Sequence, residues 1–385
     1  MKTRLHYILD ALILAILCLA MDSCDVHEFP IEEPAPKPEP PTIVVEPQLC
    51  LNVTVPLQLE GMPFYKEIFY DVENDMTSEM SRSAIDDGMQ LRFLIDVFRT
   101  DTRGYNRGES TPDFRIVHTA PEIKEHMDIP LKLDAGKYEL QIWADYVPKG
   151  TTADYFYDVH NMNAITVPEI EKAGDRYHPG NERYRDCFVG HTSMAVPSAE
   201  QLASNRADSI VVVEARADLE RPLALFAIET NDIRKFVEEK VKQMMNIETL
   251  DDPSKVMQYT HEVLSHYTVM ISYTGYMPYM FNAGTNKPVD SATGRCFFGK
   301  MEVLDTDHAV MGFDQVFVNG SESGVDIAID VYDDTGTKVS AIGPLKVPLK
   351  RGRYTLVTGR FLSADASGGV GINPGFNGDY NVQIF

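Results

Sequence analysis

Alternation of apolar and polar residues recurs along most of this chain and limits its fold more than any other feature. Segments rich in β-branched and aromatic residues at period two predict strands. They lie at 50–59, 91–98, 137–147, 209–219, 221–230, 267–277, 325–334, 353–362 and 380–385. The chain is therefore predicted to be mainly β with few short helices.

Two stretches depart from this pattern and predict helices. Residues 231–246 place one apolar stripe behind an Asn-Asp cap, and residues 198–205 begin with a Ser-x-x-Gln capping box. About 360 residues beyond the N-terminal segment suggest two domains. The longer helix marks the predicted boundary, with an N-terminal domain at 48–232 and a C-terminal domain, led by this helix, at 233–385.

A weak internal repeat supports two related domains. Residues 129–143 resemble 347–359, and the strand ahead of each, 93–102 and 327–336, is also similar. Strand and turn sequences alone can produce such a likeness, because glycine favours the turn and an aromatic residue starts the next strand. Two elements that recur in the same order favour two related β-sandwich domains.

The N-terminus has the pattern of a secretory signal peptide at 1–23. Lys2 and Arg4 precede an apolar run from Tyr7 to Met21, which is shorter than the roughly 20 residues that a membrane span needs. Cys24 follows this run and resembles the lipid-bearing cysteine of bacterial lipoproteins, whereas Cys18 lies within the run and would be removed. Acyl chains on Cys24 would anchor the protein, since each buried CH₂ contributes about 0.8 kcal/mol.

Residues 24–47 are predicted to form a stalk between this lipid and the folded body. The segment from Pro30 to Pro47 is rich in proline and glutamate. Proline disfavours helices and central strands, and like charges extend such a chain further. This composition predicts an extended, semi-rigid connection.

Charge and cysteine content narrow the class of protein. The net charge is −23, and removing Lys2, Arg4, Asp10 and Asp22 with the signal leaves it unchanged. Such a balance argues against nucleic acid as a partner and against electrostatic binding to anionic membranes. The remaining cysteines allow at most one disulfide within a chain, and the sequence leaves open whether one forms among Cys50, Cys187 and Cys296.

No coherent catalytic or metal-binding motif is present in the sequence. His261 and His266 are five residues apart, without the spacing of a helical zinc pair, and are expected on the surface beside a helix-to-strand junction. The glycine-rich segments 319–324 and 368–373 lack the context of a nucleophile elbow or a phosphate loop, and 330–336 lacks calcium-loop spacing. We therefore expect no enzymatic activity, no metal and no cofactor.

Several of these segments together resemble a known family. They are SCDVHEFP (23–30), AGKYELQIWADYV (135–147), YRDCFVGHT (184–192), ERPLALFAIETND (220–232) and YTGYMPYMFN (273–282). Their order is similar to that of FimB-type fimbrial subunits and related lipoproteins of Bacteroides-type bacteria. The resemblance implies two tandem transthyretin-like (Ig-like) β-sandwich domains on the surface of the outer membrane, joined to other fimbrial subunits by strand addition.

The resemblance also implies roles for individual residues. Cys24 matches the lipid-bearing cysteine, and nearby acidic residues resemble the signal that directs such lipoproteins to the surface. Ser209 and Ser291 each follow an aspartate and precede an apolar residue, which resembles the O-glycosylation sequon of these bacteria. The acidic residues are Asp25, Glu28, Glu32 and Glu33.

Two functions remain open from the sequence. The leading one is a lipid-anchored fimbrial subunit, an anchor or assembly component of adhesive fimbriae. The alternative is a surface glycan-binding lipoprotein of a polysaccharide-uptake system that uses Trp143 or Tyr276. The terminal strand at 380–385 either completes its own sandwich or pairs with the edge of another subunit.

Overall fold

The computed structural model describes most of the chain after the predicted stalk. The described residues are 43–53, 88–121, 126–172, 174–202, 210–245, 247 and 252–363, together with the backbone of 370–371 and 380–384. Within these ranges, no helix combines the length and apolar character that crossing a membrane requires.

Strands make up most of the described structure. The three helices are α1 (Ala199–Leu202), α2 (Ile233–Met245) and α3 (Pro253–Ser265). The strands before α2 are β1 (Val44–Val53), β2 (Met89–Arg99), β3 (Phe114–Ala120), β4 (His126–Pro130), β5 (Gly136–Pro148), β6 (Ile165–Thr166), β7 (Ile170–Lys172), β8 (Asp175–Tyr177), β9 (Cys187–Val196), β10 (Ile210–Leu219) and β11 (Leu223–Thr230). Those that follow are β12 (Tyr267–Tyr273), β13 (Met277–Asn282), β14 (Lys287–Ala292), β15 (Cys296–Gly299), β16 (Glu302–Val303), β17 (Ala309–Phe317), β18 (Glu322–Asp333), β19 (Lys338–Lys350), β20 (Tyr354–Gly359), β21 (Val370–Gly371) and β22 (Tyr380–Ile384).

Two sheets enclose the first hydrophobic core. One has the order β3-β2-β5-β9 and the other β10-β1-β4. Alternate residues of both sheets meet in one cluster, for example Phe93 of β2, Ile142 of β5 and Leu49 of β1, all fully buried. We call these seven strands the first sandwich.

A second pair of sheets encloses a separate core. One sheet has the order β15-β12-β18-β19, and the other has the order β16-β17-β11-β20-β22-β21. Ile271 of β12, Ile329 of β18 and Phe226 of β11 are fully or almost fully buried in this core, together with Val237 of α2. We call β11, β12, β15 and β17–β20 the second sandwich.

The two sandwiches share one pairing scheme. β1 pairs in parallel with β10 and antiparallel with β4, as β11 does with β20 and β17. β2 pairs with β3 and β5, as β12 does with β15 and β18, and β5–β9 corresponds to β18–β19. The prediction of a mainly β chain is confirmed, and the same seven-strand arrangement occurs twice in chain order.

The sequence repeat does not coincide with this structural one. By sequence similarity, residues 93–102 correspond to 327–336, so that β2 would correspond to β18. By strand pairing, β2 corresponds to β12 instead. The local likeness therefore reflects common strand and turn sequences. The duplication itself is visible only in the order in which the strands pair.

Pairing also bears on two of the predicted boundaries. β11 precedes the proposed division between residues 232 and 233, yet it pairs with β17 and β20 of the second sandwich. The division into domains stays a prediction, and the pairing favours a boundary before β11. At the other end, Val44–Pro47, the last four residues of the predicted stalk, belong to β1.

Pro47 lies in a strand rather than in the predicted stalk, and this position has a simple physical reason. Up to this residue β1 pairs only with β10, and the pairing with β4 begins at Gln48. A proline is tolerated in a strand where one side of the backbone is unpaired. The carbonyl of Pro47 still accepts a hydrogen bond from the amide of Leu131 at 2.8 Å.

The predicted helices are present. α2 occupies 233–245 of the predicted 231–246. Ahead of α1, the Ser198 amide donates to Oε1 of Gln201 at 2.7 Å, and the Gln201 amide donates to Oγ of Ser198 at 3.2 Å, as a capping box requires. α3 was predicted only as the helical side of the junction beside His261 and His266.

A hairpin from the C-terminal half joins the two sandwiches. β13 and β14 form it, and β13 also pairs with β6, so that Met280 is opposite Thr166 and Phe281 opposite Ile165. Beneath it lies a third apolar cluster that draws residues from both halves of the chain. The outer face of β5 is therefore covered by protein rather than by solvent.

Candidate functional site

The terminal strand β22 extends a sheet of the second sandwich beyond its seven strands. It pairs in parallel with β20, from Thr355 opposite Tyr380 to Thr358 opposite Gln383, and antiparallel with β21 on its other side. Of the two alternatives for this strand, the structure shows the one in which it completes its own sheet.

The equivalent position on the first sandwich carries no such strand in the described part of the chain. β10 corresponds to β20, and it pairs with β1 along its whole length from Ile210 to Leu219. Just beyond its C-terminal end, Glu220 forms an antiparallel bridge with Val189 of β9. Along the rest of this other side, β10 has no strand partner among the described residues. An edge of this kind presents backbone amides and carbonyls to which another strand can add.

The first part of β10 is apolar on its outer face. Ile210 is 65 % exposed and Val212 is 50 % exposed, and Val44, opposite Ile210 on β1, is also exposed. Further along, Ala217 and Leu219 alternate inward and are buried. We call the unpaired side of β10, with these exposed apolar residues, the β10 edge.

The edge strand β19 of the second sandwich, unlike β10, has features that oppose the addition of another strand. It contains Pro344, and its pairing with β18 shifts register between Ile327 and Ile329. Proline and bulges are features that interrupt edge-to-edge pairing. β10 has no proline and pairs with β1 without a register shift, so it is the more suitable edge for an added strand.

Trp143 does not have the exposed position that a glycan contact requires. It is fully buried on the outer face of β5, with the Tyr157 ring 5.3 Å away at a near-perpendicular angle and the Phe281 ring 6.3 Å away. The prediction of a glycan contact at Trp143 is wrong. The reason is that the β13–β14 hairpin and the segment around Tyr157 cover this face.

Tyr276 and Ser291 both lie on the surface. Tyr276 is 76 % exposed in the turn between β12 and β13. Ser291 is exposed on β14, and its amide donates to Oδ1 of Asp290 at 2.8 Å. Glycan contact by Tyr276 and O-glycosylation of Ser291 stay predictions.

The remaining residues with predicted roles lie outside the described ranges. These are Cys24, Ser209 and the acidic residues Asp25, Glu28, Glu32 and Glu33. Lipid attachment at Cys24 and O-glycosylation of Ser209 therefore stay predictions.

The three cysteines of the folded body are free thiols. Burial raises the pKa of Cys50 to about 11, with Asp128 adding to the effect. Burial also raises the pKa of Cys187 well above its usual value and raises the pKa of Cys296. Thiols with raised pKa values hold little reactive thiolate at neutral pH.

The histidine pair lies where the sequence predicted. α3 ends at Ser265 and β12 begins at Tyr267, and both His261 and His266 are exposed at this junction. His266 Nδ1 lies 2.5 Å from Oδ2 of Asp334. Across the described ranges, no three histidine, cysteine or acidic side chains are grouped as metal ligands.

Buried charges connect the two sandwiches, and no sequence motif indicated them. Asp314 of β17 contacts the guanidinium of Arg185, receives a hydrogen bond from the Tyr273 hydroxyl, and lies 2.7 Å from Nε2 of His178. All four side chains are buried. The one hint in the sequence is a charged residue, Asp314, within the mostly apolar strand AVMGFDQVF.

These observations define a mainly β protein of two seven-strand sandwiches, in which β10 forms a ladder with β1 alone among the described strands. Residues 64–384 match the family model described as a family of unknown function (DUF6562), and the chain belongs to this family. No curated protein sequence matches the chain.

Solved structures of similar backbone include two fimbrial proteins of Porphyromonas gingivalis. The fimbrial anchor protein Mfa2 is 12 % identical, with a TM-score of 0.34 over 77 % of this chain and 82 % of its own. The tip fimbrial protein Mfa3, in a form with a C-terminal truncation, is 11 % identical, with a TM-score of 0.29 over 79 % of this chain and 81 % of its own. Both are of the kind that the sequence resemblance named, and agreement at this level transfers neither a ligand nor a partner.

Proposed function

We propose that this chain is a lipid-anchored fimbrial subunit on the outer membrane, an anchor or assembly component of adhesive fimbriae. The observation that carries the proposal is the relation between β22 and the β10 edge. β22 adds to β20 as a parallel strand. On the same side of β10, the equivalent of β20, residues 210–219 form no ladder with a second strand in the described part of the chain. A strand from another fimbrial subunit would add to β10 in the same way.

The N-terminal sequence supports attachment at the cell surface. A predicted signal peptide ends before Cys24, and most of the segment rich in proline and glutamate, residues 30–43, precedes β1. An acylated Cys24 would hold the folded body at the outer membrane, and the extended segment would separate the body from the lipid.

The proposed role is binding and assembly rather than catalysis. The free thiols have raised pKa values, and two of the buried carboxylates, Asp145 and Asp96, are engaged by Arg92 and Arg115. Side chains held in this way stabilise a fold rather than act as nucleophiles or bases.

Fibres isolated from cells that express the chain test this function. Surface fibres would be sheared off, separated by density and probed for the chain by immunoblot and immunogold labelling. We expect the chain in the fibre fraction, and fewer or detached fibres when its gene is deleted. A chain absent from the fibres, in cells whose fibres do not change on deletion, would contradict the proposal.

The alternative is a surface glycan-binding lipoprotein of a polysaccharide-uptake system. Trp143 is buried and cannot contact a glycan in this structure, whereas the ring of Tyr276 is exposed and could do so. A deletion strain that forms normal fibres but grows poorly on a polysaccharide would favour this alternative over the fimbrial role.

A further inference from the structure

A cavity of about 340 Å³ opens on the first sandwich, beside strands β2 and β3. It lies on the sheet that does not contain β10. Two loops form its walls, one at residues 109–112 and one at 160–163. The volume is at the lower end of the range found for small-molecule sites.

The base of the cavity is a paired charge. Asp96, which is 2 % exposed, accepts hydrogen bonds from Nε of Arg115 at 2.6 Å and from Nη2 at 3.0 Å. Nη1 of Arg115 donates to the carbonyl of Val159 at 2.7 Å. Arg115 thus links the segment leading into the second loop to β3, and its positive charge neutralises the buried carboxylate of Asp96.

Hydrogen bonds also fix the two loops to each other. Nδ2 of Asn163 donates to the carbonyl of Ser110 at 3.2 Å, and the Asn163 amide donates to Oδ1 of Asn161 at 2.9 Å. From the β13–β14 hairpin, Nδ2 of Asn282 donates to the carbonyl of Gly108 at 2.8 Å. The cavity is therefore formed before any ligand arrives, which lowers the entropy cost of binding.

Three exposed polar groups of the lining make no hydrogen bond within the described part of the chain and are open to a ligand. They are the hydroxyl of Thr111, the imidazole of His160 and Nδ2 of Asn161. Together they offer both donors and acceptors. Glu109 adds a second carboxylate, so the charged groups of the lining are Asp96, Glu109 and Arg115, with an excess of negative charge.

We propose that this cavity binds one unit of a neutral saccharide. Sugar hydroxyls both donate and accept hydrogen bonds, which matches the mixed groups of Thr111, His160 and Asn161. The excess negative charge disfavours phosphates and acidic sugars, because like charges repel in a partly enclosed site. The proposal rests on the alternative function, glycan binding, to which it gives a site and a sugar class, and it does not depend on the fimbrial role.

Saturation-transfer NMR on the full chain in detergent tests the proposal. The probes are glucose, galactose, mannose and N-acetylglucosamine, compared with glucuronic and sialic acid. We expect transfer to at least one neutral sugar, and none to the acidic sugars. Absence of transfer to every neutral sugar, or equal transfer to the acidic ones, would overturn the proposal.

Two conservative variants assign the binding to the cavity. Thr111→Val keeps the shape and removes the hydroxyl, and Asn161→Asp keeps the Oδ1 acceptor for Asn163 and removes the donor. Each should weaken binding about fivefold, the effect of one hydrogen bond, with an unchanged thermal melt. Tyr276→Ala, at an exposed ring away from the cavity lining, is the control. Binding that Tyr276→Ala abolishes and the cavity variants leave intact would overturn the assignment.

Discussion

Val357 of β20 and Val382 of β22 are partners in a parallel pairing that adds a further strand to the second sandwich. Among the residues that the structure describes, the seven strands of the first sandwich enclose a core with no such addition. β22 is therefore an extension of a complete arrangement rather than one of its necessary strands. β22 can therefore leave its own sheet without removing any of the seven strands that enclose the core.

Deleting residues 380–385 should therefore weaken assembly more than folding, because it removes the strand that this chain would lend to the edge of a neighbouring subunit. We expect a melting temperature within about 4 °C of the full chain, the effect of roughly 1 kcal/mol in a domain of this size. Pull-down of the partner fimbrial subunit should fall strongly. A large drop in melting temperature with assembly intact would assign the strand to its own sandwich alone.

Cys24→Ala should release the protein from the membrane fraction, because the predicted acyl chains are its main membrane attachment. Fractionation followed by immunoblot measures this. Cys18→Ala is the matched control, since that residue is predicted to be removed with the signal. Release by Cys18→Ala, with Cys24→Ala still bound, would show that the lipid-bearing cysteine was misassigned.

Trp143→Ala should destabilise the protein by about 3 to 5 kcal/mol, the usual cost of truncating a fully buried tryptophan. Its ring fills the cluster between the two sandwiches, against Tyr157 and Phe281. Denaturant unfolding gives the free energy, and Tyr276→Ala, at an exposed ring, should change it by less than about 0.5 kcal/mol. Equal effects of the two substitutions would contradict the buried position of Trp143.

His191 should make the fold less stable as the pH falls below 6.5. Its Nε2 lies 2.8 Å from the carbonyl of Ala283 in the hairpin, and burial, followed by the charge of Arg107, lowers its pKa to about 4. Between pH 6.5 and 4 the unfolded chain therefore binds a proton that the folded chain does not. Stability should fall in this window by about 1.4 kcal/mol per pH unit from this residue.

Comparison with His191→Gln isolates this contribution. Urea unfolding of both proteins at pH 7, 6, 5 and 4 should give a shallower decline for the variant. His261→Gln, at an exposed position of α3, is the control. Identical pH profiles for the unmodified chain and His191→Gln would contradict this account of His191.

Local patterns predicted the strands and α2 because both depend on neighbouring residues. Apolar and polar residues alternate in the segment 91–98, which lies within β2. The segment 231–246, which has an apolar stripe at helical spacing, contains α2. Pairing is not local, so the sequence could not show that β11 joins the second sandwich or that β2 corresponds to β12.

The predicted glycan contact failed for a related reason. Trp143 lies among residues of β5 that are buried on both faces, and alternation identifies an outer face without showing what covers it. The cavity beside Asp96 was equally hidden from the sequence analysis. Its walls come from loops that are far apart in the chain, and hydrogen bonds of Arg115 and Asn163 hold these loops in place.

Incorporation into fibres tests assembly at the β10 edge most directly, using two equally exposed valines. Val212 lies on β10 and Val289 on β14, and each is 50 % exposed. A lysine on an edge strand opposes the addition of another strand, while either substitution should change stability by less than about 0.5 kcal/mol. The proposed assembly predicts that Val212→Lys is largely lost from sheared fibres and that Val289→Lys is retained like the unmodified chain. Equal retention of both variants would contradict it.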